Sequence, residues 1–184
     1  MKTAVIYFSH TGNNRLIANE IAGKIQADSF PVTEPRKRAT GTIILDMLFR
    51  RSAKIDTLPI DWTRYDHVLL IAPIWGGLIA SPMKAFVKTE HANFPQFSFA
   101  SLCGGAEGQE EKIRNQLVKW TGKAPKAVMQ FEITELMSSE NQGKVENLAV
   151  YKVKPQELDK FGDKITALIK QMKQVIPTNE YAVA

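Results

Sequence analysis

The chain has 184 residues, a formal net charge of +5, 44% hydrophobic and 23% charged residues, a balance that supports a real core and excludes a disordered or fibrous chain. A single cysteine, Cys103, excludes an internal disulfide, and no apolar run reaches the length of a membrane span. The basic residues are scattered apart from Arg36-Lys37-Arg38 and Arg50-Arg51, with no interleaved aromatics. The surplus therefore reads as a solvated face rather than a nucleic-acid site. The unpaired thiol and the absence of a signal-peptide pattern make the cytoplasm the expected setting.

In chain order, residues 2–8 predict a strand that ends in a small polar loop, Ser9-His10-Thr11-Gly12-Asn13-Asn14. A helix is predicted over 13–27, with Ile17, Ile21 and Ile25 recurring every four residues. A strand feeding a polar loop that opens a helix is a ready anion site. Backbone N–H groups and the positive helix end converge there, and the Ser9 and Thr11 hydroxyls add donors. Gly12 lets the backbone wrap closely. A Walker loop would need a lysine here, and a dinucleotide loop would need G-x-G-x-x-G. A phosphate held by hydroxyls and amides alone suits a monophosphate, which points to a mononucleotide cofactor. The competing reading is an ordinary strand-to-helix turn capped by Thr11 or Asn13.

Residues 29–33 predict a short second strand. The stretch 34–66 opens with basic and turn residues. It continues with an amphipathic helix over 42–51, where Ile43, Ile44, Met47 and Leu48 share a face. Residues 67–72 are almost wholly apolar, as a central parallel strand requires. Residues 73–81 read as loop, and Pro82 suits the start of a helix whose buried stripe is Met83, Phe86 and Val87. A fourth strand follows over 97–102, a glycine-rich turn over 103–108, a helix over 110–120 and a fifth strand over 126–133. Residues 134–154 are polar and read as loop. A terminal helix is predicted from Pro155 to Val175, and the tail 177–184 is expected to be flexible. The pattern predicts one domain over 1–184, a doubly wound α/β sandwich on a five-stranded parallel sheet.

The opening motif resembles the phosphate-binding signature of the flavodoxins, in which an aliphatic–aromatic strand end leads to S/T-x-T-G-x-T and a helix. Val5, Ile6, Tyr7, Ser9, Thr11, Gly12, Ala18 and Ile21 fit that pattern. Asn14 stands where the family usually has threonine, and its side-chain amide can still donate. The resemblance extends over residues 1–175, with 34–66 as a helical insertion after strand two. It implies a flavodoxin-like fold of strand order 2-1-3-4-5. Ligands then bind beyond the carboxyl ends of strands one and three, where the loops after strands one, three and four converge.

The resemblance implies FMN as cofactor. It makes Pro73, Ile74, Trp75, Gly76 and Gly77 the loop that carries an aromatic against the flavin ring, with a Gly76–Gly77 peptide that changes orientation on reduction. Trp75 as a plug for the core is the alternative. The loop holding Cys103, Gly104, Gly105 and Glu107 resembles the second flavin loop. Cys103 also reads as a buried small hydrophobe, with nothing to lower its pKa, and Glu107 as a helix cap. His10, His67 and His91 show no metal-ligand spacing, so no metal is expected. No G-x-S-x-G elbow is present, and the acidic pair of a receiver domain is replaced by Ser9-His10.

Three functions follow from the resemblance. The first is an electron carrier exchanging electrons with a redox partner protein. The second is an NAD(P)H-dependent reductase acting on a quinone or a similar small acceptor. The third is a non-catalytic module without flavin, against which Ser9, Thr11, Gly12 and Trp75 argue. No catalytic residue and no oligomeric state is assigned.

Overall fold

The computed structural model describes residues 1–35, 53–137 and 151–174. The amphipathic helix expected over 42–51 and the tail 177–184 lie outside the described residues, as does most of the loop expected over 134–154. Among the described residues, five strands form one parallel sheet: β1 (Thr3–Tyr7), β2 (Asp28–Pro31), β3 (His67–Ile71), β6 (Phe97–Cys103) and β7 (Val128–Glu132). Their order is β2-β1-β3-β6-β7, the expected 2-1-3-4-5 arrangement. Registers run from Thr3 opposite His67 to Tyr7 opposite Ile71, and from Phe99 opposite Val128 to Cys103 opposite Glu132.

The period of two along each strand divides the core into two layers. Ala4, Ile6, Val68, Leu70, Phe97 and Phe99 pack on one side with α2 (Ser81–Glu90) and α3 (Gln109–Thr121). Val5, Leu69, Ile71, Ala100 and Leu102 pack on the other with α1 (Asn13–Ile25) and α4 (Gly162–Lys173). Ile17, Ala18 and Ile21 of α1 and Ile165, Leu168 and Met172 of α4 supply the stripes that close that face. Both faces of a parallel sheet must be covered, which is why β3 is buried along its whole length.

Several elements differ from the sequence pattern. The stretch read as loop between residues 73 and 81 contains an antiparallel hairpin, β4 (Ile74–Trp75) and β5 (Leu78–Ile79). Gly76 and Gly77 turn it at φ of 54° and 77°, the double positive φ that a two-residue hairpin turn demands and that glycine adopts without strain. The single terminal helix expected from Pro155 is two pieces, a 3-10 segment Pro155–Phe161 and then α4. β2 ends at Pro31, which cannot donate to a ladder, although Val32 N–H still reaches the Tyr7 carbonyl at 2.7 Å.

The stretch expected as an insertion, 34–66, is described again from residue 53, and Ile55, Leu58, Ile60 and Trp62 pack on the core. Thr33, just before it, is bridged to Asp56 within it: Asp56 N–H donates to the Thr33 carbonyl at 3.0 Å and the Thr33 hydroxyl to the Asp56 carboxylate at 2.7 Å. Trp62 then packs its ring 5.4 Å from Phe94.

The start of α1 is fixed by two buried asparagines. Asn14 Nδ2 donates to the Leu102 carbonyl at 3.0 Å, and Leu102 N–H donates to Asn14 Oδ1 at 3.0 Å. Asn13 repeats the arrangement, donating to the Tyr151 carbonyl at 2.7 Å and accepting from Val153 N–H at 3.1 Å. Each side chain mimics a peptide group and satisfies backbone that has no partner strand.

Two predictions follow from this packing. Asn14→Ala leaves a buried N–H and a buried carbonyl unmet, at about 1–3 kcal/mol each. Urea unfolding is expected to show a loss of about 2–4 kcal/mol, against less than about 0.5 kcal/mol for the exposed neighbour in Arg15→Ala.

His67 is fully buried, with Nε2 3.0 Å from the Ser98 hydroxyl. Burial, helped by the Lys126 charge, lowers its pKa from 6.5 to about 4. The unfolded chain takes up this proton near pH 6.5 and the native chain refuses it until about pH 4. The contribution is therefore complete above pH 6.5 and drains as pH falls through that window. At pH 4.5 the loss is about 2–3 kcal/mol. His67→Gln is expected to shrink the drop in stability between pH 7 and 4.5 by that amount. An unchanged drop would acquit His67.

Candidate functional site

The loop after β1 meets the hairpin after β3 at the carboxyl end of the sheet. Ser9 is half-buried, His10 and Thr11 are exposed, and Asn13 and Asn14 are buried. Gly12, at φ 100°, is the residue from which α1 departs. Its N–H donates to the Ser9 hydroxyl at 3.1 Å. The first helical bond runs from Leu16 N–H to the Gly12 carbonyl at 3.1 Å, so the amides of Asn13, Asn14 and Arg15 precede it. No side chain caps them.

Neither Thr11 nor Asn13 caps the helix. The Asn14 side-chain amide, a donor as expected, donates to the buried Leu102 carbonyl. What Asn13 and Asn14 offer the loop is backbone N–H, beside the exposed Thr11 hydroxyl. The positive end of the α1 dipole adds to the same spot.

Trp75 is half-buried and joins the two loops. Its ring stands edge-on to Phe8 at 6.0 Å and to His10 at 6.0 Å. Trp75 is thus both packed against the rim of the core and in contact with the first loop. Pro73 accepts from Ala80 N–H at 3.1 Å, which closes the base of the hairpin, and Ile74 pairs with Ile79. The turn itself is held from α3, because Gln116 Nε2 donates to the Gly77 carbonyl at 2.9 Å and Gln116 Oε1 accepts from Ile79 N–H at 3.1 Å.

The third loop leaves β6 at Cys103. The thiol is buried and lies within a polar cluster, accepting from Gln109 Nε2 at 3.3 Å and donating to Gln130 Oε1 at 3.6 Å. A hydrogen bond also joins Gln109 Nε2 to Gln130 Oε1. Burial pushes the Cys103 pKa up, which favours the thiol form. Gly104 and Gly105 are half-buried, and Glu107 is exposed. Gly108, not Glu107, occupies the cap of α3, without a side-chain cap bond. Gly105 has a φ of +76°, which favours glycine, and a Cβ there would make the Glu132 side chain, 2.6 Å away, move aside.

The sequence pattern misses Gln109, Gln116, Gln130 and Tyr151. Each acts through a hydrogen bond to a remote partner, and periodicity carries no record of such a bond. Among the described residues, no group of His, Cys, Asp and Glu is placed to hold a metal ion, and no helix is long and apolar enough to cross a membrane.

No protein-family model matches the chain, and no curated relative matches it. Solved structures do. A flavoprotein from Lactobacillus acidophilus NCFM in complex with FMN superposes with a TM-score of 0.58 at 20% identity, covering 78% of this chain and 99% of that one. The apo form of the flavoprotein from the same strain gives 0.53 at 21% identity, covering 78% and 97%. A protein described as a flavoprotein from Bacteroides eggerthii DSM 20697 gives 0.62 at 15% identity, covering 90% and 98%. Identities of this size establish the fold alone. By strand order and by superposition, the chain has the flavodoxin-like α/β fold.

Proposed function

We propose that the chain is a single-domain cytoplasmic redox protein that binds FMN non-covalently at the carboxyl end of β1 and β3. The observation that carries this reading is the uncapped first turn of α1, with Thr11 exposed beside it and the Trp75 ring against His10. A monophosphate fits such a turn: it needs amide and hydroxyl donors without a lysine. The amides of Asn13 and Asn14 with the hydroxyls of Ser9 and Thr11 would hold the phosphate. Trp75 presents the flat side chain of the site. Gly76 and Gly77 on one side, and Gly104 and Gly105 on the other, let backbone come close to a planar ring. The flavodoxin-like flavoprotein of similar fold that contains FMN adds support.

When bound, FMN supplies reversible one- and two-electron chemistry. The residues do the rest. The asparagine clamps keep the first turn in place, Gln116 fixes the hairpin, and the Cys103–Gln109–Gln130 cluster fixes the departure of the third loop. The Cys103 thiol serves that cluster and takes no part in transfer.

Removing the Ser9 and Thr11 hydroxyls by Ser9→Ala with Thr11→Ala is expected to weaken FMN by 10-fold or more. A hydrogen bond to a charged group is worth about 1.5–3 kcal/mol. Riboflavin, which lacks the phosphate, is expected to bind the variant as it binds the parent. Flavin fluorescence titration reads both, and equal losses would sink the phosphate-loop assignment.

An NAD(P)H-dependent quinone reductase would use the same binding residues. Anaerobic titration of the FMN-loaded protein with NADPH and then dithionite separates the two. The carrier reading expects bleaching by dithionite and not by NADPH; rapid bleaching by NADPH would replace it with the reductase.

A further inference from the structure

The +5 charge of this chain has a local expression beside the hairpin. A cleft of about 390 Å³ opens between the β4–β5 turn and α3, lined by Gly76, Gly77, Lys112, Asn115, Gln116 and Lys119. Lys112, Asn115, Gln116 and Lys119 are spaced i, i+3, i+4 and i+7, so they form one stripe of α3. Lys112, Asn115 and Lys119 are exposed. Gln116 is the inward member, clamping the turn through the Gly77 carbonyl and Ile79 N–H. The two ammonium groups are thus mounted on a helix bonded directly to the turn that follows Trp75.

One acid, Glu111, borders the stripe four residues before Asn115, and the two lysines outnumber it. Glu110 and Glu111 occupy the first turn of α3, and Glu110 is paired with Arg114 at 3.3 Å on another face. Val118, 39% exposed, borders the stripe and is the one exposed large hydrophobe besides Met1 among the described residues. A small apolar spot beside a charged rim, next to a rigid turn, is the anatomy of a transient interface. Its charge selects the partner, because a positive rim steers and orients a negative surface.

We infer that the hairpin–α3 cleft is the docking surface for an acidic protein that exchanges electrons at this site, with Lys112 and Lys119 as its recognition charges. The inference rests on the flavin reading above.

The test uses the full-length FMN-loaded chain, reduced with dithionite and mixed in a stopped-flow instrument with one of two ferric cytochromes, the acidic cytochrome b5 or the basic cytochrome c. Each productive encounter moves one electron from the reduced flavin to a haem iron(III), which becomes iron(II). The flavin serves two acceptors in turn and releases its protons to solvent.

Three results are expected. Transfer to cytochrome b5 slows as salt rises. Lys112→Glu with Lys119→Glu slows it at least 10-fold at low ionic strength while FMN affinity stays unchanged. The same variant gains rate with cytochrome c. The control is Lys170→Glu with Lys173→Glu, which removes the same net charge from exposed positions at the far end of α4.

An equal slowing by the control would show a general charge effect and overturn the docking surface, as would no slowing by the α3 variant. Failure of the parent chain to bind FMN would instead overturn the flavin reading, and it shows before any cytochrome is added.

Discussion

The structure turns on the pairing of the Asn14 side chain with both backbone groups of Leu102. β6 is the fourth strand of the sheet and α1 follows the first, so no ladder hydrogen bond can connect them. An amide side chain is one of the few groups that supplies a donor and an acceptor with the spacing of a peptide. Once Asn14 and Asn13 face inward, α1 cannot slide or rotate, because either motion would strand buried polar groups on both of its flanks. The same commitment turns the first-turn amides, not the side chains, toward the loop. A residue choice that looks like a loss of a hydroxyl donor is thereby a gain of rigidity.

That rigidity is inherited by a sheet with little slack. Both core layers consist of alternating strand residues, and a shift of one position in any strand would exchange the layers. The two edges are handled separately. β2 is four residues long and ends in proline. On β7 the Gln130 carbonyl accepts from Lys164 at 3.4 Å, and the Glu132 N–H donates to Glu135 at 3.2 Å, so outward groups are partly met by side chains. With the body of the sheet fixed in this way, variation is left to the loops at its carboxyl ends, where ligands of this fold class bind.

Much of the fold was legible because burial leaves a period in the sequence. The run His67–Ile71 reads as a central strand since a strand covered on both faces needs apolar residues at every position. The stripe Ile17, Ile21 and Ile25 reads as a helix for the corresponding reason. The hairpin at Ile74–Ile79 was not legible, because a strand of two residues is too short to show alternation and Gly76-Gly77 serves a loop equally well. The break before Gly162 was hidden too, since a 3-10 segment and an α-helix place Leu158 and Phe161 inward alike. At the site, Ser9, Thr11 and Gly12 were readable from local chemistry. The commitments of Asn14 to Leu102 and of Gln116 to Gly77 span 88 and 39 residues, and only the folded chain brings such partners together.

The knot of hydrogen bonds between Thr33 and Asp56 has a bearing on how this chain can be altered. The backbone leaves the sheet and comes back at one point, so these bonds close a loop of chain. Closing such a loop becomes costlier only with the logarithm of its length, by about 0.6 kcal/mol per doubling. The ends of that loop are therefore set by Thr33 and Asp56, and a change in the number of residues between them alters the closure term little while those two keep their bonds.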